Sequence, residues 1–259
     1  MCESPTARVY TEQIPEHPGL AWTRFVCISD THSRKFRIPP GDVLLHAGDL
    51  TSWGEFPQLH ATIEWLQSLD HPTKIIIAGN HDLCLDERWR GGIEGLSPES
   101  VDAGRSLVRN QNLRDAGIYY LEYESLRFTT AAGIEWRVYG SPAAPYFSRG
   151  SFQYMTYKEA EDIYARIPSD TEILLTHTPP YEVLDKTRRG KNAGCDVLAA
   201  RLEQLHACRL HVFGHIHEAH GARIEGEKND DDVKDRIRRV SINAALSSNK
   251  RAIVVDLKN

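Results

Sequence analysis

The chain reads Gly-His-Ile-His at 214–217, directly after the apolar run CRLHVF at 208–213. Side chains of an extended backbone alternate with period two, so His215 and His217 project to one side and can reach a shared metal. A lone histidine pair in a strand is ordinarily packing. Here four further apolar runs end in a similar way: FVCIS on Asp30-Thr31-His32, VLLHAG on Asp49, IIIAG on Asn80-His81, and ILLT on His177. In α/β sheets the ligand site lies beyond the carboxyl ends of the strands, so these residues are expected to converge although far apart in the chain. Asp30, His32, Asp49, Asn80, His177, His215 and His217 form a hard-to-borderline ligand set without thiolate, suited to Mn, Fe, Zn, Ni or Mg. Seven ligands are more than one ion takes, and aspartate is a type that bridges two cations. The set predicts a dinuclear centre, its ions ~3.5–4 Å apart, with a bridging water activated to hydroxide.

The glycines before Asp49, Asn80 and His215 fit that expectation. A residue without Cβ lets a strand turn sharply and leaves room for a ligand. Charge points the same way. With 31 Lys and Arg against 36 Asp and Glu the net charge is −5. That balance gives no basic footprint for nucleic acid and no polybasic membrane patch. Two divalent cations would supply the positive charge it lacks, which makes phosphate the natural substrate group.

The elements that must position these residues follow from hydrophobic periodicity. Strands are expected at 23–30, 43–49, 74–82, 171–177 and 208–217, and two more over VSINAAL and RAIVVDL near the C-terminus. Helical spacing of Leu59, Ile63 and Leu66 predicts a helix over 55–69. Further helices are expected over 98–111, 158–167 and 195–207. Residues 118–140 read as a short antiparallel series of three strands, and 225–239 as a mixed-charge loop between strands. Strands alternating with helices first and pairing antiparallel later argue one α/β domain with mixed sheets.

The ordered set Asp-x-His, Gly-Asp, Gly-Asn-His-Asp, a lone His and Gly-His-x-His resembles the calcineurin-like metallophosphoesterases, most closely the metallophosphoesterase-domain (MPPED) subgroup. SDTHSR, GDVLLHAGD, KIIIAGNHD, VYGSP, LLTHTPP, LHVFGHIHE and INA carry the likeness, from about residue 23 to the C-terminus. The resemblance implies a four-layer α-β-β-α sandwich of two mixed sheets flanked by helices. It implies that Asp30, His32 and His217 bind one metal, that Asp49 bridges, and that Asn80, His177 and His215 bind the other. His81 would act at the leaving group as general acid or charge stabiliser, with Asn80 assisting. Some relatives carry glycine in place of the first histidine of Gly-His-x-His; His215 is present here, so a complete site is implied.

The implied activity is a metal-dependent phosphoesterase acting on a small phosphodiester or nucleotide. Alternatives are hydrolysis of an ester, lactone or amide on the same scaffold, or a nucleotide-binding regulator with residual turnover, against which the intact ligand set argues. Arg188 and Arg189, in the basic loop 186–196, are candidates for holding a substrate anion, although such a loop is more commonly a solvated surface. His46 and His211 fall inside strands and read as packing, and His17, His60, His71 and His206 as surface or cap residues. Asp82 either orients His81 or caps a turn.

The five cysteines are scattered, with no Cys-x-x-Cys, so neither a disulfide framework nor a zinc ribbon is expected. Residues 1–22 read as an irregular leader before a single domain over 23–259. With no apolar signal core and no run near the ~20 residues that span a bilayer, a cytoplasmic protein is expected.

Overall fold

Successive residues of a β-strand face opposite ways, and in this chain both faces of the central strands are apolar. The computed structural model describes residues 6–91, 96–227, 236–246 and 250–259. In chain order it forms β1 (Ala7–Tyr10), β2 (Trp22–Ile28), β3 (Val43–Ala47), α1 (Phe56–Gln67), β4 (Thr73–Ile77), α2 (Pro98–Val108), α3 (Gln111–Asp115) and β5 (Ile118–Leu121). The middle of the chain supplies β6 (Glu124–Thr129), β7 (Glu135–Ser141), β8 (Ala144–Pro145), β9 (Gln153–Tyr154), α4 (Tyr157–Tyr164) and β10 (Ile173–Thr176). It closes with α5 (Asp196–Gln204), β11 (Leu210–Phe213), β12 (Gly221–Glu227), β13 (Arg236–Asn243) and β14 (Ile253–Lys258).

Two six-stranded mixed sheets result, ordered β1-β14-β2-β3-β4-β5 and β12-β13-β11-β10-β7-β6. In the first, β2 to β5 run parallel, β14 lies antiparallel to β2, and β1 pairs antiparallel with β14 and so runs the same way as β2. In the second, β7, β10, β11 and β13 run parallel between antiparallel edges β6 and β12. Phe25 and Cys27 of β2 meet Ile173 and Leu175 of β10 in the core between the sheets. Val26 and Ile28 face the other way, against α1 and α2, and Leu174 faces α4 and α5. Strands covered on both faces carry no polar alternation, and burying each such side chain is worth about 1.5–3 kcal/mol. The four-layer sandwich follows.

α1 begins with Pro57 in its first turn and buries Leu59, Ile63 and Leu66 on one face, as their spacing predicts. The helix expected over 98–111 is divided: α2 starts at the Ser97 cap, and Asn110 caps the separate α3. Three strand readings need correction. β5 is not part of an antiparallel series but pairs parallel with β4. Ile118 and Tyr120 pack on the helix side and Leu121 between the sheets, so β5 fits a doubly covered position. The segment 225–239 is partly strand, because β12 and β13 form an antiparallel pair; its residues 228–235 lie outside the described ones. The leader is not wholly irregular: β1 pairs with β14 and covers a backbone edge that would otherwise be unpaired.

A buried ion pair ties β2 to β14. Arg24 Nε donates to Asp256 Oδ1 at 2.7 Å and a second guanidinium nitrogen to Oδ2 at 2.8 Å. Among the described residues no helix is long and apolar enough to cross a membrane.

Candidate metal centre

The parallel strands of both sheets deliver the predicted residues to one crevice. Asp30 follows β2, Asp49 follows β3 and Asn80 follows β4, while His177 follows β10 and His215 and His217 follow β11. The turn out of each strand is tight. Asp30, His32, Asp49 and His215 have φ of 55°, 47°, 55° and 67°, in the left-handed region that ordinary side chains avoid. Strain of that kind is held only where surrounding structure over-determines it, and it clusters at functional sites. The preceding glycines allow the approach. A Cβ on Gly79 would run into the Asp49 carboxylate and the His177 ring, and one on Gly214 into Asp30 and Ser29. Gly48 itself has φ of 100°.

Among the described residues the ligand atoms of Asp30, His32, Asp49 and His217 all lie within 4.8 Å of one another. His217 Nε2 is 2.9 Å from Asp30 Oδ1 and 3.2 Å from His32 Nε2, which is 3.7 Å from Asp49 Oδ2. On the other side of Asp49, His177 Nε2 is 3.4 Å from Oδ1 and 2.9 Å from Asn80 Oδ1. The His215 ring lies beside His177, centroid to centroid 5.0 Å. The structure thus brings all seven candidates together around Asp49.

Backbone carbonyls fix which nitrogen of each ring carries the proton. His177 Nδ1 donates to Ala47 O at 2.9 Å and His32 Nδ1 to Thr51 O at 3.2 Å. Each Nε2 therefore presents a lone pair to the crevice. There the ring nitrogen of His177 meets two oxygens, Asn80 Oδ1 and Asp49 Oδ1. Imidazole nitrogens and carboxylate and amide oxygens converging in one crevice are the donor set of a cation, and the carbonyl behind each imidazole is the support that metal-ligating histidines ordinarily have. The residues fit a divalent metal centre.

The electrostatics agree. Burial pushes the Asp30 carboxyl up, but the hydrogen bond from His217 and the neighbouring imidazoles outweigh it and hold it well below the carboxylate range. Burial, then the charge of Asp30, pushes Asp49 well above it. Two buried carboxylates in one site need a counter-charge to ionise together. Burial depresses His32 to about 4 and His215 to about 3, favouring the neutral imidazole that binds metal. His217 is raised by its hydrogen bond to Asp30.

His81 borders the crevice from its half-exposed side. Its backbone N–H donates to Asp49 Oδ1 at 2.8 Å, and its ring Nδ1 donates to Ser52 O at 2.8 Å, leaving Nε2 available. Asp82 makes no hydrogen bond to that ring. It accepts from the backbone of Gly79, Leu50 and Thr51 and from Thr51 Oγ1, clamping the turns after β3 and β4 together. Asn243 of the INA stretch does the same for the last ligand turn, donating to the Ile216 carbonyl at 2.9 Å and to Leu184 O at 3.0 Å. Its supporting role, and those of the Ala47, Thr51 and Ser52 carbonyls, had no signal in residue type beyond adjacency to the motifs.

Arg188 and Arg189 lie in an exposed turn closed by Gly190 N–H donating to Thr187 O at 2.8 Å. The turn is tethered to Glu218, beside His217, through the Arg188 backbone N–H at 2.9 Å. Neither guanidinium hydrogen-bonds to a candidate ligand. His46 and His211 are buried in their strands, and His71 is buried in the loop before β4, its Nε2 donating to Pro39 O; an imidazole paired with a backbone carbonyl packs inside, contrary to its reading as a surface or cap residue.

A family model described as calcineurin-like phosphoesterase matches residues 23–219. Metallophosphoesterase domain-containing protein 1 of Homo sapiens is 37% identical over 226 residues, 82% of this chain and 65% of that protein. The chain thus spans somewhat under two thirds of that relative's length. A probable rhamnogalacturonate lyase C of Emericella nidulans is 39% identical over 202 residues, 78% of this chain and 18% of its own. A solved dimetal phosphatase from Danio rerio superposes with a TM-score of 0.49 at 11% identity, covering 90% of this chain and 91% of its own.

Proposed function

The chain belongs to the calcineurin-like phosphoesterases, and from that premise we propose that it hydrolyses a small phosphodiester or nucleotide-type phosphate ester at a centre of two divalent cations. The observation that carries the reading is the set of imidazole nitrogens and of carboxylate and amide oxygens converging around Asp49. Asp30, His32 and His217 would hold one ion and Asn80, His177 and His215 the other, with Asp49 available to both. Mn, Fe, Zn, Ni and Mg all suit such ligands. When bound, the ions lower the pKa of water and neutralise phosphate charge.

The chain's own groups do the remaining work. Ala47 and Thr51 carbonyls keep His177 and His32 in the one tautomer that ligates. The Asn80 amide, its oxygen turned to His177, has its N–H groups for a nonbridging phosphoryl oxygen, where transition-state charge collects. His81, held through Nδ1 by Ser52, presents Nε2 to the leaving group, where its imidazolium form carries the proton that the departing alkoxide takes, leaving the neutral ring. A cytoplasmic location belongs to the same reading, supported by buried free thiols at Cys27, Cys84, Cys195 and Cys208.

Metal analysis with a substrate panel tests the proposal. Two equivalents per chain are expected, with Asp49→Ala losing both and His217→Ala mainly one, and with phosphodiester turned over ahead of phosphomonoester and carboxyl ester. Full activity and two tightly bound metals in Asp49→Ala would overturn the shared-ligand assignment. Turnover of the carboxyl ester alone would move the function to a non-phosphate bond.

A further inference from the structure

A cavity of about 380 Å³ opens directly beside the candidate centre, reaching Asn80 and His81 at its inner end. That size lies within the roughly 300–1,000 Å³ of small-ligand clefts. Leu83 and Leu96 form apolar lining, and Trp53, Glu55 and Arg149 its more exposed parts. Trp53 is 72% exposed, whereas the other four tryptophans, Trp22, Trp65, Trp89 and Trp136, are all below 8%. The exception is thus the indole that stands in a cleft next to the site.

The loop that presents this indole is held at every residue. Thr51 is bound by Asp82, and Ser52 donates through Oγ to His32 O at 2.6 Å and accepts from the His81 ring. Trp53 N–H donates to Gln58 Oε1 at 2.9 Å, and Gly54 N–H to Thr51 Oγ1 at 3.1 Å. Gly54 has φ of 77°, and a Cβ there would meet Leu83 at 2.5 Å, so the chain is pressed against that part of the cleft. An apolar side chain left in water by a mobile loop needs no explanation. One presented by a pinned loop starts from an ordered backbone, so the cost of ordering that backbone falls on folding rather than on binding.

We propose that Trp53 is a specificity-determining residue, and that its cleft takes an aromatic or heteroaromatic ring carried by the phosphoester, stacked on the indole with the ester bond at Asn80 and His81. The proposal rests on the phosphoesterase reading for the bond that is cut, while the ring subsite itself stands on Trp53 and its cleft. Since His81 lies at the inner end, the ring belongs to the alcohol side of that bond. Leu83 and Leu96 exclude water from the ring edge, and Arg149 and Glu55 give the outer rim one charge of each sign. Such a rim suits a neutral ring bearing hydrogen-bonding groups better than a second phosphate.

The test separates the subsite from the chemistry. Adenosine, a heteroaromatic alcohol without phosphate, is titrated calorimetrically into the full chain after chelator treatment, with ribose as the aliphatic control. Adenosine should bind and ribose should not. Removing one aromatic stacking partner weakens binding by about 5- to 150-fold, so Trp53→Ala should lose adenosine by that factor, and Trp53→Phe should recover most of it. On metal-loaded protein, the kcat/KM ratio of an aryl to an alkyl phosphoester should fall by a similar factor in Trp53→Ala. Equal adenosine affinity in wild type and Trp53→Ala, or ribose binding as well as adenosine, would overturn the subsite. Adenosine binding that follows Trp53, with no phosphoester turned over by the loaded enzyme, would uphold the ring subsite and sink the phosphoesterase reading instead.

Discussion

Two imidazoles next to one another in the crevice have different tasks because different carbonyls hold them. His32 is fixed through Thr51 O with its lone pair among other acceptors, whereas His81 is fixed through Ser52 O at the half-exposed edge. A proton on His81 Nε2 is useful only where the leaving oxygen is a strong base. His81→Asn should therefore retain both metals yet lose far more rate on an alkyl phosphodiester than on a nitrophenyl one, with general acid catalysis contributing ~10²–10⁴-fold. Metal content together with kcat on the two substrates checks this. Equal losses with metals retained would leave His81 as a charge stabiliser, and lost metal would make it a ligand. The residues themselves were legible in the sequence because each closes an apolar run. Their tautomers were not, since a backbone carbonyl such as Ala47 O or Ser52 O carries no residue identity.

At the scale of elements, the central strands were legible because doubly covered strands are apolar throughout. Which sheet a short strand joins was not: β5 follows α3 directly and carries no mark separating it from the β6–β7 pair, so only packing assigns it. The turns after the strands show the same limit. Asp82 could be read either as a support for His81 or as a turn cap, and it is a clamp between two turns. Strained residues at Asp30, His32, Asp49 and His215, each costing of order 1–3 kcal/mol, require clamps of this kind. Asp82→Ala would leave the Gly79, Leu50 and Thr51 N–H groups without their acceptor. A buried unsatisfied group costs roughly 1–3 kcal/mol, so a loss of at least about 3 kcal/mol in denaturant unfolding is expected, with weakened metal binding. A variant as stable as wild type, with its metals in place, would show that other contacts hold the turns.

Across the whole molecule, the candidate metal crevice and the sheet interior are joined by buried imidazoles, His46 and His211. His46 of β3 donates from Nε2 to Thr31 Oγ1 at 2.9 Å, between the candidate ligands Asp30 and His32, and its Nδ1 accepts from Gly48 N–H at 3.3 Å. Protonating Nδ1 removes that acceptor and places a charge in the core. Burial accordingly lowers His46 to about 3, and pushes His211 in the second sheet well below its ordinary value. Because the folded value lies below the unfolded one of about 6.5, the unfolded chain binds the extra protons as pH falls. Stability from a neutral His46 is thus complete above about pH 6.5 and declines progressively toward pH 3, by at most ~1.4 kcal/mol per pH unit for one group. His46→Gln should be less stable than wild type at pH 7, yet its stability should fall less steeply between pH 6.5 and 4.5, a difference of about 2–3 kcal/mol across that window. Denaturant midpoints measured on chelator-treated protein at half-unit pH steps keep metal loss out of the comparison. Parallel curves for the two proteins would mean that His46 is not the group that must charge when the sandwich opens in acid.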